Sequence, residues 1–166
     1  MQQVQSLQVG RIDVGFGRLP IQQDGIVNTL IHEEPLVAAL PSSDNEGEDA
    51  VTLKALSQKS LIIYPAAPRP SFADQVLSLF RMHGLSLTKT IDANGLQTTI
   101  GLVATGMGTT IVPKSVSVLR RDDVKYVRIS DEGAITPLLM STRKYNNSEE
   151  TSLFISEFNR FRSKSE

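Results

Sequence analysis

Few residues in this chain are of a type and spacing that could do chemistry. The two histidines, His32 and His83, stand far apart, and only His32 has carboxylates beside it, in Glu33 and Glu34. A metal centre draws three or more converging ligands, so this pattern reads as a surface histidine at a strand end. His83 falls in the last turn of an expected helix, where a cationic side chain suits the negative end of the dipole. Gly106-Met107-Gly108 lies between an expected helix and an expected strand, the reverse of the strand-turn-helix order that sets a pyrophosphate on a helix N-terminus. Gly15-Phe16-Gly17 follows a strand, yet Pro20 stands where the third glycine would be and no helix follows. The acid pairs Asp122-Asp123 and Glu149-Glu150 sit in polar stretches, with nothing to desolvate one carboxyl and separate the two pKa values as acid–base work requires. The second pair instead suits the first turn of a helix. With no P-loop, no G-x-S-x-G elbow and no cysteine, the expectation is a protein that is not an enzyme and carries no cofactor or metal.

Two features point to an anion instead. Arg18 ends a strand with an apolar interior, so its guanidinium is expected at the strand's carboxyl end, where open α/β sheets bind ligands. A planar fork there suits a carboxylate, although an ordinary surface ion pair would use the same residue. Pro70-Ser71-Phe72 opens a helix, whose unsatisfied backbone N–H groups and positive dipole end attract an anion. A dicarboxylate gives both donor sets something to hold.

These residues need elements to place them. Helix-like and strand-like stretches alternate along the chain, the pattern of an α/β fold with largely parallel strands. A short helical segment holding Val4 and Leu7 ends at Gly10, a C-capping residue by type, and a strand follows over 12–17. Residues 26–32 and 36–40 read as two strands separated near Glu34-Pro35, and 41–49 as a polar loop. A short helix is expected over 51–56 and a strand over 60–64, before Pro65-Ala66-Ala67-Pro68-Arg69-Pro70, whose prolines bar regular structure. Ser71 is placed to cap the next helix, with Asp74 at its third position; Ala73, Val76, Leu77 and Phe80 form its apolar stripe and Gly84 its end. A strand over 85–91 sets Leu85, Leu87, Lys89 and Ile91 on one face. Leu96, Ile100, Val103 and Ala104 stripe a further helix stopped by Gly106, and 109–112 is a strand ended by Pro113. The last strands are 124–129 and 136–142. After a polar turn at Asn146-Asn147-Ser148, Phe154, Phe158 and Phe161 mark one face of a closing helix, and 163–166 are expected to fray.

Bulk properties narrow the function class. At 166 residues and 40% apolar composition, the chain can bury roughly 70% of its unfolded surface in one domain or two small lobes. A net charge of −1 argues against this segment gripping a polyphosphate backbone, which takes a basic excess. No apolar run approaches a membrane span and the opening residues lack a signal peptide's pattern, so a cytoplasmic protein without membrane contact is expected.

Four segments together resemble the regulatory domain of LysR-type transcriptional regulators. They are Leu7-Gln8-Val9-Gly10-Arg11-Ile12-Asp13-Val14-Gly15-Phe16-Gly17, then Glu34-Pro35-Leu36-Val37-Ala38-Ala39-Leu40-Pro41, then the stretch from Gly101 through Gly106-Met107-Gly108 to Pro113, and the return strand with its closing helix. Gly15-Phe16-Gly17-Arg18 with Tyr64-Pro65-Ala66-Ala67-Pro68-Arg69-Pro70-Ser71-Phe72 is similar to the branch that controls catechol and benzoate degradation and responds to cis,cis-muconate.

The resemblance implies an α/β fold of two Rossmann-like lobes, of the type 2 periplasmic-binding-protein kind, joined by two crossing strands with the effector between them. Lobe one would be 1–34 plus 131–166, incomplete at its start because the family's first strand, helix and second strand precede the helix ending at Gly10; lobe two would be 35–130. It also implies Arg18, Pro70, Ser71, Phe72 and Ile135 as effector-binding residues, the Phe72 N–H included. Expected partners are a small carboxylate, further copies of the chain as a dimer or tetramer, and DNA only through an N-terminal domain. The competing reading, from a different class, is a ligand-free oligomerisation module.

Overall fold

The computed structural model describes residues 2–45, 49–145 and 148–162. In chain order its elements are α1 (Gln2–Gln8), β1 (Val14–Gly17), β2 (Ile26–Pro41), β3 (Ala50–Val51), α2 (Leu53–Ser57), β4 (Ser60–Ile63), α3 (Phe72–Met82), β5 (Lys89–Asp92), α4 (Leu96–Ala104), β6 (Thr110–Pro113), a 3-10 turn (Lys114–Val118), β7 (Val124–Ile129), β8 (Ile135–Arg143) and α5 (Glu149–Arg162). They form two compact units, Met1–His32 with Leu138–Glu166 and Glu33–Pro137. The chain passes from one unit to the other along β2 and returns along β8.

In the larger unit, residues 36–40 are apolar at every position because both faces of β2 are covered. Leu36, Ala38 and Leu40 point into a cluster with Leu53 and Leu56 of α2 and Val76, Leu79 and Phe80 of α3. Val37 and Ala39 point the other way, to Ile100 and Val103 of α4. Each fully buried Leu, Ile, Val or Phe among them contributes about 1.5–3 kcal/mol, so the sheet with its two helical covers contributes strongly to the stability of this unit. β2 lies between β6 and β7, antiparallel to both, with Val37 opposite Val112 on one side and Arg128 on the other. β7 pairs in parallel with β3, and β4 in parallel with β5. A parallel bridge from Leu61 to Thr109 continues β4 onto the strand that becomes β6.

In the smaller unit, β1 pairs antiparallel with β8, Phe16 standing opposite Met140. The Arg143 guanidinium gathers the turn between α1 and β1, donating to the Leu7 and Ile12 carbonyls at 2.8 Å each and pairing with Asp13. Gly10, at φ +72, allows that turn to reverse after α1. The Ser148 hydroxyl oxygen accepts the Thr151 N–H at 3.1 Å and so caps α5. Glu149 and Glu150 occupy the first turn of α5, as expected from the dipole. The rings of Phe154 and Phe158 stack at 6.0 Å, and Phe158 reaches Phe16 at 5.6 Å.

Four sequence-based expectations need correction. The strands are not largely parallel: β1–β8, β2–β6 and β2–β7 are antiparallel, because residue pattern reports burial and not direction, and direction comes from long-range partners. Residues 26–32 and 36–40 are one strand and not two. Pro35 is tolerated inside it because its fixed φ is compatible with extended backbone, and ladder pairing with β6 and β7 begins only at Leu36 and Val37. The strand expected over 85–91 is confined to Lys89–Asp92; Leu85 and Leu87 lean on the α3 cluster and Ile91 on the α4 cluster, so they do not share a face. Val51 belongs to β3, and α2 starts only after the Thr52 cap, whose hydroxyl accepts the Ala55 N–H at 3.1 Å. Residues 46–48, Asn146, Asn147 and 163–166 of the expected loop, turn and tail, and the Phe161 side chain, lie outside the described residues.

Candidate functional site

The segment from Tyr64 to Asp74 is built by its own hydrogen bonds, since its prolines remove the donors that regular structure would need. The Ala66 N–H donates to the Ala93 carbonyl at 2.8 Å and ties the loop to the end of β5. The Ser71 hydroxyl donates to the Pro65 carbonyl at 2.8 Å, closing the loop on itself. Asp74 takes the Ser71 N–H on Oδ2 at 2.6 Å, the carboxylate half of the capping box read from the sequence. Its other oxygen receives Arg69 Nη1 at 2.6 Å, while Arg69 Nε donates to the Ala66 carbonyl at 3.0 Å.

Both Ser71 donors are therefore engaged within the loop. Of the first-turn amides, the Phe72 and Ala73 N–H groups make no hydrogen bond among the described residues. The Phe72 ring packs on Tyr64 at 5.7 Å and against the α3 cluster, half-buried, and Pro70 beside it is exposed. Burial works to raise the Asp74 pKa, but the Ser71 N–H and the Arg69 guanidinium outweigh it and hold the carboxyl below its ordinary value.

Ile135 opens β8 with its side chain half exposed. Its neighbour Thr136 is buried and donates to Gln75 Oε1 at 2.8 Å, which fixes the start of β8 beside the first turn of α3. The larger unit thus brings Pro70, Ser71, Phe72 and the β8 start into one neighbourhood. Arg18 lies in the smaller unit, half-buried, at the residue after β1 where the sequence placed it.

The other candidates take structural roles. His32 and Glu33 are exposed, whereas Glu34 is buried, accepting the Ser115 N–H on Oε2 at 2.9 Å at the start of the 3-10 turn. His83 is the C-terminal cap of α3, its ring bonded to the Glu132 carbonyl at 3.0 Å. Gly106-Met107-Gly108 is the turn from α4 to β6. Asp123 is held by a two-pronged contact from Arg121, both arms at 2.8 Å. No group of three or more histidines and carboxylates that could hold a metal occurs among the described residues, and no helix among them is long and apolar enough to cross a membrane.

Sequence gives Arg69 no role beyond its place in the branch-like stretch, and Gln75 none. Their only local signal is that each flanks the capping box, and a proline-rich loop gives no periodicity from which side-chain direction can be read.

Residues 1–161 match the LysR substrate binding domain family. The chain belongs to this family. Among relatives of this LysR domain, the HTH-type transcriptional regulator CatR of Pseudomonas putida is 47% identical over 144 residues, covering 87% of this chain and 50% of CatR. The HTH-type transcriptional regulator BenM of Acinetobacter baylyi is 37% identical over 149 residues, covering 88% of this chain and 49% of BenM. The chain spans about half the length of these curated relatives, which are transcriptional regulators and not enzymes. The solved effector binding domain of a BenM variant superposes with a TM-score of 0.88 at 32% identity, covering 97% of this chain and 76% of that one. The BenM domain solved with its effector benzoate gives 0.80 at 33% identity, covering 96% and 76%. The fold is accordingly mixed α/β of the type 2 periplasmic-binding-protein kind shared by these effector-binding domains. Membership in a family of sensing domains favours ligand binding over the ligand-free oligomerisation module.

Proposed function

We propose that this LysR domain senses a small dicarboxylate such as cis,cis-muconate on behalf of a regulator of aromatic catabolism. The observation that carries the reading is the start of α3, where the half-buried Phe72 offers an N–H that makes no hydrogen bond among the described residues, beside an aromatic ring. The backbone donor and the helix dipole suit a carboxylate there, and a guanidinium such as that of Arg18, half-buried after β1, is of a kind that suits a carboxylate. Pro70, the Phe72 ring and Ile135 supply apolar walls for the carbon chain, and Ser71 shapes the turn that presents the Phe72 amide. Charge-assisted hydrogen bonds are worth about 1.5–3 kcal/mol each, so a few of them with apolar contact approach the ~8 kcal/mol of a micromolar ligand.

In this reading the two regulatory lobes are 1–34 with 131–166 and 35–130. The compact units Met1–His32 with Leu138–Glu166 and Glu33–Pro137 support it in outline, the first crossing falling after His32 where the reading has 34 and the return at Leu138 where it has 131, which leaves Ile135 in the larger unit. The kinship to CatR and BenM supports a cytoplasmic regulator in which an N-terminal domain contacts DNA and copies of the chain assemble as a dimer or tetramer. The effector acts by binding one conformational state more tightly than the other.

The test is thermal unfolding with and without cis,cis-muconate. The ligand is expected to raise the melting temperature and Arg18→Ala to remove the shift. No shift with any small dicarboxylate overturns the reading.

A further inference from the structure

An anionic effector at the start of α3 faces an obstacle that its own helix supplies. Asp74 stands in the first turn, its carboxylate bonded to the Ser71 N–H at 2.6 Å. A carboxylate placed on the Phe72 amide therefore arrives next to a fixed negative charge. Arg69 answers that charge: Nη1 pairs with Asp74 Oδ1 at 2.6 Å while Nε holds the Ala66 carbonyl at 3.0 Å. The guanidinium is anchored at both ends, to the helix and to the proline-rich loop. About a third of each side chain of the pair is exposed, so the charges are only partly screened by water.

We propose that Arg69 is a positioning and charge-masking residue for the effector, fixing the Pro70-Ser71-Phe72 turn and cancelling the Asp74 charge so that a carboxylate can approach the Phe72 amide. This rests on the reading of that turn as part of the effector site. Asp74 is kept because it organises the cap; Arg69 is what makes an acidic cap compatible with an acidic ligand. Arginine is suited to this and lysine is not, since only a planar fork can hold a carbonyl and a carboxylate from two nitrogens at fixed angles. The same geometry predicts an asymmetry. Loss of Arg69 exposes the Asp74 charge, whereas loss of both residues removes the repulsion together with its mask.

The experiment measures cis,cis-muconate dissociation constants by calorimetry for the unmodified chain, Arg69→Gln, Arg69→Lys, Asp74→Asn and the double variant Arg69→Gln/Asp74→Asn. Arg69→Gln is expected to weaken binding on the order of tenfold, as an uncancelled charge a few ångströms from the ligand requires. The double variant is expected to recover most of that loss, Arg69→Lys to fall between, and Asp74→Asn to bind at least as tightly as the unmodified chain. A merely structural role for Arg69 would leave the double variant as weak as the single one, and that result overturns the charge mask. Should Arg69→Gln fail to fold, Asp74→Asn and Arg69→Lys still decide: clear loss in the first, or full affinity in the second, contradicts the proposal. Binding that Arg69→Gln leaves intact overturns this inference alone, whereas absence of binding to the unmodified chain overturns the site reading and the inference with it.

Discussion

The backbone of Gly108 lies so close to that of Ser60 that a Cβ on residue 108 would stand 2.5 Å from the Ser60 carbonyl oxygen. The contact sits where the strand leading into β6 joins β4: the Thr109 N–H donates to that same Ser60 carbonyl at 2.9 Å and the Ile62 N–H to the Thr109 carbonyl at 2.7 Å. Glycine at 108 is thus demanded by strand approach, and no phosphate need be invoked for it. Gly108→Ala must push β4 and β6 apart, and is expected to cost about 1–3 kcal/mol. Urea denaturation reads this directly, and an unchanged midpoint would refute it.

Among the described residues Phe80 is the largest fully buried side chain, in the cluster that joins α3 to the sheet. Phe80→Ala is expected to destabilise the chain by about 3–5 kcal/mol, as truncation of a large core aromatic leaves a cavity. A loss below about 1 kcal/mol in chemical denaturation would mean that the core is not packed as described.

Asp74 gives a pH-dependent prediction. Its folded pKa lies below the ordinary 3.8, burial opposing the shift and the Ser71 N–H and Arg69 producing it. A depressed carboxyl pKa contributes stability that is present above the unfolded value and is lost as pH falls through the folded one. The stability gap between the unmodified chain and Asp74→Asn should therefore be constant from neutral pH down to about 5 and close below about 4. Urea midpoints across that range check it, and a gap that widened on acidification would have the wrong sign.

Arg143 ties β8 to the turn after α1 through the Leu7 and Ile12 carbonyls and Asp13. Arg143→Ala leaves those acceptors without a charged donor and is expected to cost about 1–3 kcal/mol. Amide hydrogen exchange should accelerate at Arg11 and Ile12, whose N–H groups bond to Ser6, and leave α3 unaffected. Uniform acceleration in both units would argue against a local tie.

Local order carried the elements that depend on local physics. The Ser71 and Asp74 cap, the α3 stripe of Ala73, Val76 and Phe80, the glycine at 106 after α4 and the acidic first turn of α5 all stand where residue type and period put them. Each depends on neighbours within one turn of helix or a single bend. The family signature lies in the same short stretches, which is why kinship to LysR domains was legible without a structure.

What tertiary structure decided involves partners far apart in the chain. Glu34 reads as one of three polar residues at a strand end, but Ser115 takes its carboxylate inside and leaves His32 and Glu33 exposed. Pro35 reads as a break, yet β6 and β7 pick up the strand just beyond it. Arg69 reads as one charge in a proline-rich loop until Ala66 and Asp74 fix its direction. Residue type and periodicity set which faces are apolar and where helices begin, because those follow from backbone geometry within a few residues. Strand direction, the fate of a buried charge and the aim of a guanidinium follow from which distant segment arrives to pair with them, and that is settled only when the chain folds.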